Sequence, residues 1–209
     1  MIATSAASFA IGLTLAGPLT TPVQLRLILT GGPTAIGSAA VAEAARVWAP
    51  YGVSIHAAAV TAGDGAVVRV AIADRAMAPA ADPRALGSVA FHGGVPDPEI
   101  ILYQGRAWEL IAAAVGSAVD HWPTTYREVV LGRVLGRALA HELGHYLLHT
   151  PGHSTDGLMR ATQQIVDLMT TDKRKLFLPP EDLAALPAAI DRLRRQESSA
   201  IGPASHGKG

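Results

Sequence analysis

The spacing of apolar residues changes along the chain, and this change predicts strands in the first half and longer helices in the second. Alternating apolar and polar residues predict a strand at 23–29, and a mostly apolar helix is predicted to follow at 38–48. Further apolar runs predict four short strands, at 53–56, 67–72, 86–91 and 100–103. The glycines and prolines between the last two runs predict a loop at 93–98.

A long helix is predicted to begin near Thr125 and to end near His149. Thr125 and Glu128 have the spacing of a capping box, and Pro151 with Gly152 stops the helix. Residues at spacings of three and four form one face of it, namely Val130, Val134, Ala138, His141, His145 and His149. Inside the helix are Gly132, Gly136 and Gly144. Each costs about 1 kcal/mol relative to alanine, which close packing against a sheet would offset.

The order of these elements predicts an α+β fold, in which a twisted mixed β-sheet packs against the long helix. A short helix is expected at 107–119 and a C-terminal helix at 181–196. We expect one domain at 21–196. Residues 1–20 are either a degenerate export signal or a disordered N-terminus, because the apolar run has no basic residue before it. The polar, glycine-rich stretch 197–209 is expected to be a disordered tail.

Composition narrows the chemistry more than the compartment. The 209 residues are 49% hydrophobic, and the 17 basic residues balance the 17 acidic ones, so we expect neither a disordered chain nor a nucleic-acid partner. The N-terminal apolar run breaks too early for an integral membrane span. Secreted and cytoplasmic locations both stay open, as does the oligomeric state. There is no cysteine, so a transition-metal site must use histidine and carboxylate ligands.

Four of the eight histidines fall within thirteen residues, and two of them form an HExxH motif, His141-Glu142-Leu143-Gly144-His145. Histidines four apart lie about 40° apart around a helix and about 6 Å apart along it, so both imidazoles can bind one Zn²⁺. Glu142 projects beside such a metal and can take a proton from a zinc-bound water. A catalytic zinc needs one further protein ligand, since one position holds the water.

Three residues are candidates for that third ligand. His153 follows the Pro-Gly turn that reverses the chain, and it is favoured. His149 lies about 12 Å along the axis from His141, which is too far for three ligands on a straight helix. His149 suits the helix C-terminus, where a partial positive charge on its side chain interacts favourably with the helix dipole. Glu181 lies 36 residues after His145, but an acid after two prolines is also typical of a helix start.

These residues resemble the metzincin clan of zinc metalloproteases, whose pattern is HExxHxxGxxH followed by a turn that carries methionine. Here the pattern corresponds to His141, Glu142, His145 and His153, with residues 154–159 as the methionine turn. The chain has Leu148 where the family has glycine, and its third histidine comes two residues later. It is similar in this respect to a longer variant in bacterial metzincin-like proteins. The resemblance is specific over residues 139–160.

The resemblance implies a zincin-like fold and a zinc-dependent metallopeptidase that acts on a peptide or protein. It implies Zn²⁺ on the three histidines, Glu142 as general base, and Met159 as an apolar floor under the metal. A substrate strand is expected to pair with a sheet edge near 86–91. The family often has an oxyanion-stabilising tyrosine after the methionine turn, and this chain has none there. Three alternatives stay open: a gluzincin-type peptidase using Glu181, a zinc-binding module without turnover, and a structural four-histidine site that includes His149.

Overall fold

The computed structural model describes residues 21–58, 66–74 and 84–200, with side chains as far as residue 196. Within these residues, five strands are present, β1 (Val23–Thr30), β2 (Val53–Ala57), β3 (Ala66–Ala73), β4 (Gly87–His92) and β5 (Val95–Tyr103). The helices are α1 (Thr34–Trp48), α2 (Gln104–Val115), α3 (Thr124–Leu148), α4 (Ile165–Met169) and α5 (Pro180–Ala200). Short 3₁₀ helices follow α1 at Ala49–Tyr51 and α2 at Gly116–His121.

The five strands form one mixed sheet in the order β2-β1-β3-β5-β4. The first four strands in this order are parallel to one another. Strand β4 pairs with β5 in the antiparallel direction and forms an edge of the sheet. Side chains alternate between buried and solvent-facing along β1 and β3, as a sheet covered on one face requires. The predicted α+β fold, with a mixed sheet packed against helices, is therefore confirmed.

Helices α1 and α3 approach each other unusually closely, because α3 has no side chain where they meet. A Cβ atom added at Gly132 would lie 2.5 Å from the Cβ of Ala39, and one added at Gly136 would lie 2.7 Å from the carbonyl oxygen of Ala40. We expected these glycines to face the sheet, and that expectation was wrong. The close approach also allows the indole N–H of Trp48 to donate to the carbonyl of Ala140 at 2.9 Å.

An ion pair is buried at this helix contact. Glu43 of α1 is 3% exposed and Arg137 of α3 is 1% exposed, and the arginine Nε–H donates to the carboxylate at 3.0 Å. Arg46 also donates to Glu43 from the surface, and Arg137 uses a second N–H to bind the carbonyl of Asp167 at 2.6 Å. The pair thus connects α1, α3 and α4 through charge-assisted hydrogen bonds.

The start of α3 differs from the prediction. The N-cap position is Pro123, and no side chain caps the helix, so the capping box of Thr125 and Glu128 does not form. Thr125 is the second residue inside the helix, two positions past the place from which its hydroxyl could bind the free N–H groups. Arg127 instead holds this end, because its guanidinium donates to the carbonyls of Trp122 and Asp120.

Two other predicted boundaries move. Helix α1 begins at Thr34, four residues before the predicted start. The predicted loop at 93–98 shrinks to a turn at Gly93 and Gly94, both at positive φ, and β5 begins at Val95. Pro98 is tolerated in this strand because it lies at the register shift with β4 and before pairing with β3 begins at Glu99.

Some sequence predictions fall partly or wholly outside the described residues. These include the N-terminal stretch 1–20 and the end of the predicted tail at 201–209. Helix α5 extends to Ala200, four residues beyond the predicted end of the domain. None of the helices in the described ranges is long and apolar enough to cross a membrane.

We predict that Glu43→Ala lowers the free energy of unfolding by about 3–5 kcal/mol, because it leaves the buried charge of Arg137 unpaired. The control Arg46→Ala removes the partner whose side chain is 58% exposed, and its cost is expected to stay below about 1 kcal/mol. Urea denaturation followed by circular dichroism measures both values. Equal costs for the two variants would contradict the assignment of the buried pair as the dominant interaction.

Candidate metal centre

Three histidines, separated by four and eight positions in the sequence, come together at the C-terminal end of α3. His141 and His145 lie on successive turns of the helix, and His153 lies in the segment that follows Pro151 and Gly152. One ligand nitrogen from each lies within 4.8 Å of the others. In the part of the chain that the structure describes, these three form the group able to hold a metal ion.

Backbone carbonyls fix the orientation of both helical imidazoles. The Nδ1 atom of His141 lies 2.8 Å from the carbonyl oxygen of Leu158, and that of His145 lies 2.7 Å from the carbonyl oxygen of Thr150. A carbonyl only accepts hydrogen bonds, so each Nδ1 carries the proton and each Nε2 presents a lone pair. This is the second-sphere arrangement that metal-binding histidines usually have.

The two Nε2 atoms face each other at a distance that suits a shared cation. They lie 3.1 Å apart, whereas two nitrogens bound tetrahedrally at 2.0–2.1 Å to one zinc would lie about 3.3 Å apart. Two lone pairs at this distance repel each other unless a positive charge lies between them. An all-nitrogen donor set without thiolates is also one that Zn²⁺ accepts. The residues present therefore fit a zinc ion.

Burial keeps the helical histidines neutral. The pKa of His141 is lowered to about 4, mainly by burial and also by charge repulsion from His145 and His153, while the hydrogen bond to Leu158 acts in the opposite direction. Burial also lowers the pKa of His145. A neutral imidazole is the form that binds a metal, so protons compete weakly for these two nitrogens at neutral pH.

The segment that carries His153 is closed on itself by backbone pairing. The N–H of Ser154 donates to the carbonyl of Met159 at 2.9 Å, and Ser154 forms a β-bridge with Arg160. The Ser154 hydroxyl donates to the carboxylate of Asp182 at 2.7 Å. Asp182 is buried in the first turn of α5, and its negative charge also acts on His145. The role of Asp182 was not predicted, because in the sequence Asp182 is only one of two acidic residues at a helix start.

Met159 packs against α3 at Gly144, a position between His141 and His145 in the sequence. It is 1% exposed, and a Cβ atom added at Gly144 would lie 2.1 Å from its sulfur. Gly144 therefore serves to admit the methionine, and it does not face the sheet as we had expected of the helix glycines. Leu158 is also held in place, since its N–H donates to the carbonyl of Phe177 at 2.7 Å.

Glu142 reaches from α3 to the edge strand β4. It is 8% exposed, and its carboxylate accepts a hydrogen bond from the backbone of Val89. A Cβ atom added at Gly87 would lie 2.9 Å from the Glu142 Cγ, so only glycine leaves room for the carboxylate there. The pKa of Glu142 is raised to about 8, because the effect of burial outweighs the opposite effect of the hydrogen bond from Val89.

A cleft of about 470 Å³ opens over this group. Its walls are β4 with the residues before it, the face of α3 around His141, and the segment from Pro151 to Gln163. The size is in the usual range for ligand sites, roughly 300–1,000 Å³. Both helical histidines, His153 and Glu142 line it.

The two other candidates for the third ligand lie outside the histidine group. Glu181 is exposed at the start of α5. His149 is the C-cap of α3 with a φ of 53°, at the helix end as expected. The expected positive charge there does not come from His149, because burial and the nearby Arg192 lower its pKa. Arg192 supplies it instead, since its guanidinium donates to the carbonyl of Leu147 at 2.8 Å.

Comparisons with known proteins give one structural likeness. No protein-family model matches the chain, and no curated protein matches it. The fold is similar to that of archaemetzincin from Methanopyrus kandleri, with a TM-score of 0.53 and 12% sequence identity. The likeness covers 84% of this chain and 99% of that one. It shows a shared fold, so the zincin-like architecture implied by the sequence resemblance is confirmed.

Proposed function

We propose that this protein is a zinc-dependent metallopeptidase that binds Zn²⁺ through His141, His145 and His153. One observation carries the proposal. Three imidazoles converge on the floor of an open cleft, and backbone carbonyls turn the lone pairs of the two helical ones towards each other. Histidines that only stabilise a core have no reason to be oriented in this way. The shared fold with archaemetzincin supports the same class of enzyme.

Glu142 is the general base in this proposal. A zinc ion at the site lowers the pKa of a bound water and polarises the scissile carbonyl. The Glu142 carboxylate accepts a proton from the attacking water and then donates it to the leaving amine. Burial and the hydrogen bond from Val89 hold the carboxylate at one place in the cleft. A group that both takes and gives a proton works best with a pKa near the operating pH, and the pKa of Glu142 is raised to about 8.

The edge strand β4 is the proposed docking strand for the substrate. Its inner side pairs with β5, and its outer side faces the cleft, where the backbone of Val89 reaches Glu142. An extended peptide can add to such an edge through main-chain hydrogen bonds. A peptide bound along β4 therefore passes the carboxylate and the three histidines.

The alternatives lead to different ligand sets or to no turnover. A gluzincin-type peptidase needs Glu181 close to the histidines, and this residue lies outside their group. A structural four-histidine site needs His149, which also lies outside it. A zinc-binding module without turnover has the same ligands as the peptidase and differs only in the need for Glu142.

We predict that His153→Ala loses tight zinc binding, while Glu181→Ala and His149→Ala each retain one zinc per chain. Loss of one of three protein ligands leaves too few donors to hold the metal. Metal analysis after dialysis against a weak chelator measures the content. Stoichiometric zinc in the His153 variant would exclude this ligand set, and loss of zinc in the Glu181 variant would favour the gluzincin-type site.

We predict that Glu142→Gln retains zinc and loses about 10²–10⁴-fold in peptide cleavage, the usual contribution of a general base. Glutamine keeps the size of the side chain but accepts no proton. Cleavage of a peptide library, followed by mass spectrometry, compares the variant with the wild type. Wild-type protein that binds zinc but cleaves nothing would instead favour the module without turnover.

Met159 is proposed as the apolar floor of the site, and Gly144 provides the test. We predict that Gly144→Ala costs about 1–3 kcal/mol of stability, because the new methyl group collides with the methionine sulfur. It should also weaken zinc binding, since Gly144 lies between the two helical ligands. In the background of Met159→Ala, the same substitution should cost clearly less. Thermal unfolding of the four proteins gives the coupling, and additive costs would disprove the contact.

A further inference from the structure

Three arginines line the cleft, and the proposed chemistry uses none of them. Arg84 precedes β4, Arg137 lies one helical turn before His141, and Arg160 directly follows Met159. Among the described residues that line the cleft, Glu142 is the one carboxylate. The exposed residues of the cleft that carry a full charge among those described, Arg84 and Arg160, are therefore both basic.

Arg160 is the arginine that the backbone holds next to the metal ligands. It pairs with Ser154 through a β-bridge, and Ser154 is the neighbour of His153. Paired strands lie about 4.8 Å apart. The Cα atom of Arg160 therefore lies within about two residue lengths of His153. The Gln163 side chain also donates to the carbonyl of Leu158 at 2.9 Å, which connects the chain on the two sides of Arg160.

The guanidinium of Arg160 has no ion-pair partner among the described residues. Its side chain is exposed and makes neither an ion pair nor a side-chain hydrogen bond within the described ranges. Arg160 also lines a small polar cavity beside the cleft with three acidic residues, Asp156, Asp167 and Asp172, and Asp172 is paired with Arg174. Asp156 accepts from the N–H of Gly157, and Asp167 is paired with Lys175. The guanidinium is thus free to bind an anionic group of a ligand.

Arg137 lies below the cleft as half of a buried ion pair. Its charge is matched by Glu43, but its Nη2 atom is buried without a hydrogen-bond partner. The residue lines both the cleft and the small polar cavity beside it. Because Nη2 is buried, it does not contact a ligand in the cleft, and the exposed arginines among the described cleft residues are Arg84 and Arg160.

We propose that Arg160 is a specificity-determining residue that binds a carboxylate of the peptide substrate, one or two residues from the scissile bond. A guanidinium binds a carboxylate through two parallel hydrogen bonds, which gives both affinity and register. The carboxylate belongs either to an Asp or Glu side chain or to the C-terminus of the peptide. The inference rests on the peptidase function proposed above, and it adds the class of substrate.

The test is a set of peptides that differ in one charge. Each position around a cleaved bond carries Glu in one peptide and Gln in its partner, and each peptide is made with a free or an amidated C-terminus. For the zinc-loaded wild type, kcat/KM is expected to be about tenfold higher for the acidic member at one position, or for the free C-terminus. A side-chain effect in amidated peptides identifies an acidic residue, and an effect of the terminus alone identifies a C-terminal carboxylate.

The variants Arg160→Gln and Arg160→Glu assign the effect to one residue. In Arg160→Gln the ratio between acidic and neutral peptides should fall to about one, and in Arg160→Glu a Lys peptide should become the better substrate. The matched control is Arg106→Gln, which alters an exposed arginine on α2 outside the cleft. The control should keep the wild-type ratio. Equal cleavage of acidic and neutral peptides by the wild type, or an unchanged ratio in Arg160→Gln, would overturn the proposal.

Peptide binding separates this inference from the peptidase function. If the wild type cleaves no peptide, fluorescence anisotropy measures the affinity of the zinc-loaded protein for labelled Glu and Gln peptides, and this affinity tests the carboxylate site. Tighter binding of the acidic peptide to the wild type, lost in Arg160→Gln, would support the carboxylate site and leave only the peptidase function refuted. Equal binding of both peptides would refute the carboxylate site as well.

Discussion

The close contact between α1 and α3 is the constraint on which the rest of the structure depends. Gly132 and Gly136 remove the side chains that would separate the helices, and the buried pair of Glu43 and Arg137 fixes their relative register. A helix held in this way cannot slide or rotate without exposing an unpaired charge. The next turn of α3 carries His141, so the direction in which the ligands point is set by packing that involves none of them.

The second constraint is the segment from Thr150 to Arg160, which supplies more than its histidine. The carbonyls of Thr150 and Leu158 orient the helical imidazoles, and Met159 packs against the helix between them. The three proposed ligands are therefore parts of one unit, in which the helix gives two imidazole nitrogens and the following segment orients them. Asp182 of α5 holds this unit from outside through Ser154. Such support is what keeps a metal site in its binding geometry.

The sequence predicted the elements better than the contacts between them. Period-two and period-3.6 patterns predicted the strands and α3, because burial of one face imposes them directly. The capping box failed because Thr125 and Glu128 satisfy a local rule that the position of Pro123 overrides. Convergence of His141, His145 and His153 followed from helix geometry and a Pro-Gly turn. The role of Asp182 and the hydrogen bond from the backbone of Val89 to Glu142 did not, since long-range partners leave no pattern in one sequence.

The two fixed carbonyls have a consequence for how such centres vary between proteins. Because Thr150 and Leu158 hold the helical imidazoles, the stretch between them works as an arc with anchored ends. Residues added near Pro151 and Gly152 lengthen the arc without moving either anchor, which accounts for a third histidine eight positions after the second. A search for the family pattern with its fixed spacing between the second and third histidines would therefore miss this chain. In this chain, the two carbonyl anchors and the methionine packed between them and the helix define the site more directly than the spacing of the histidines does.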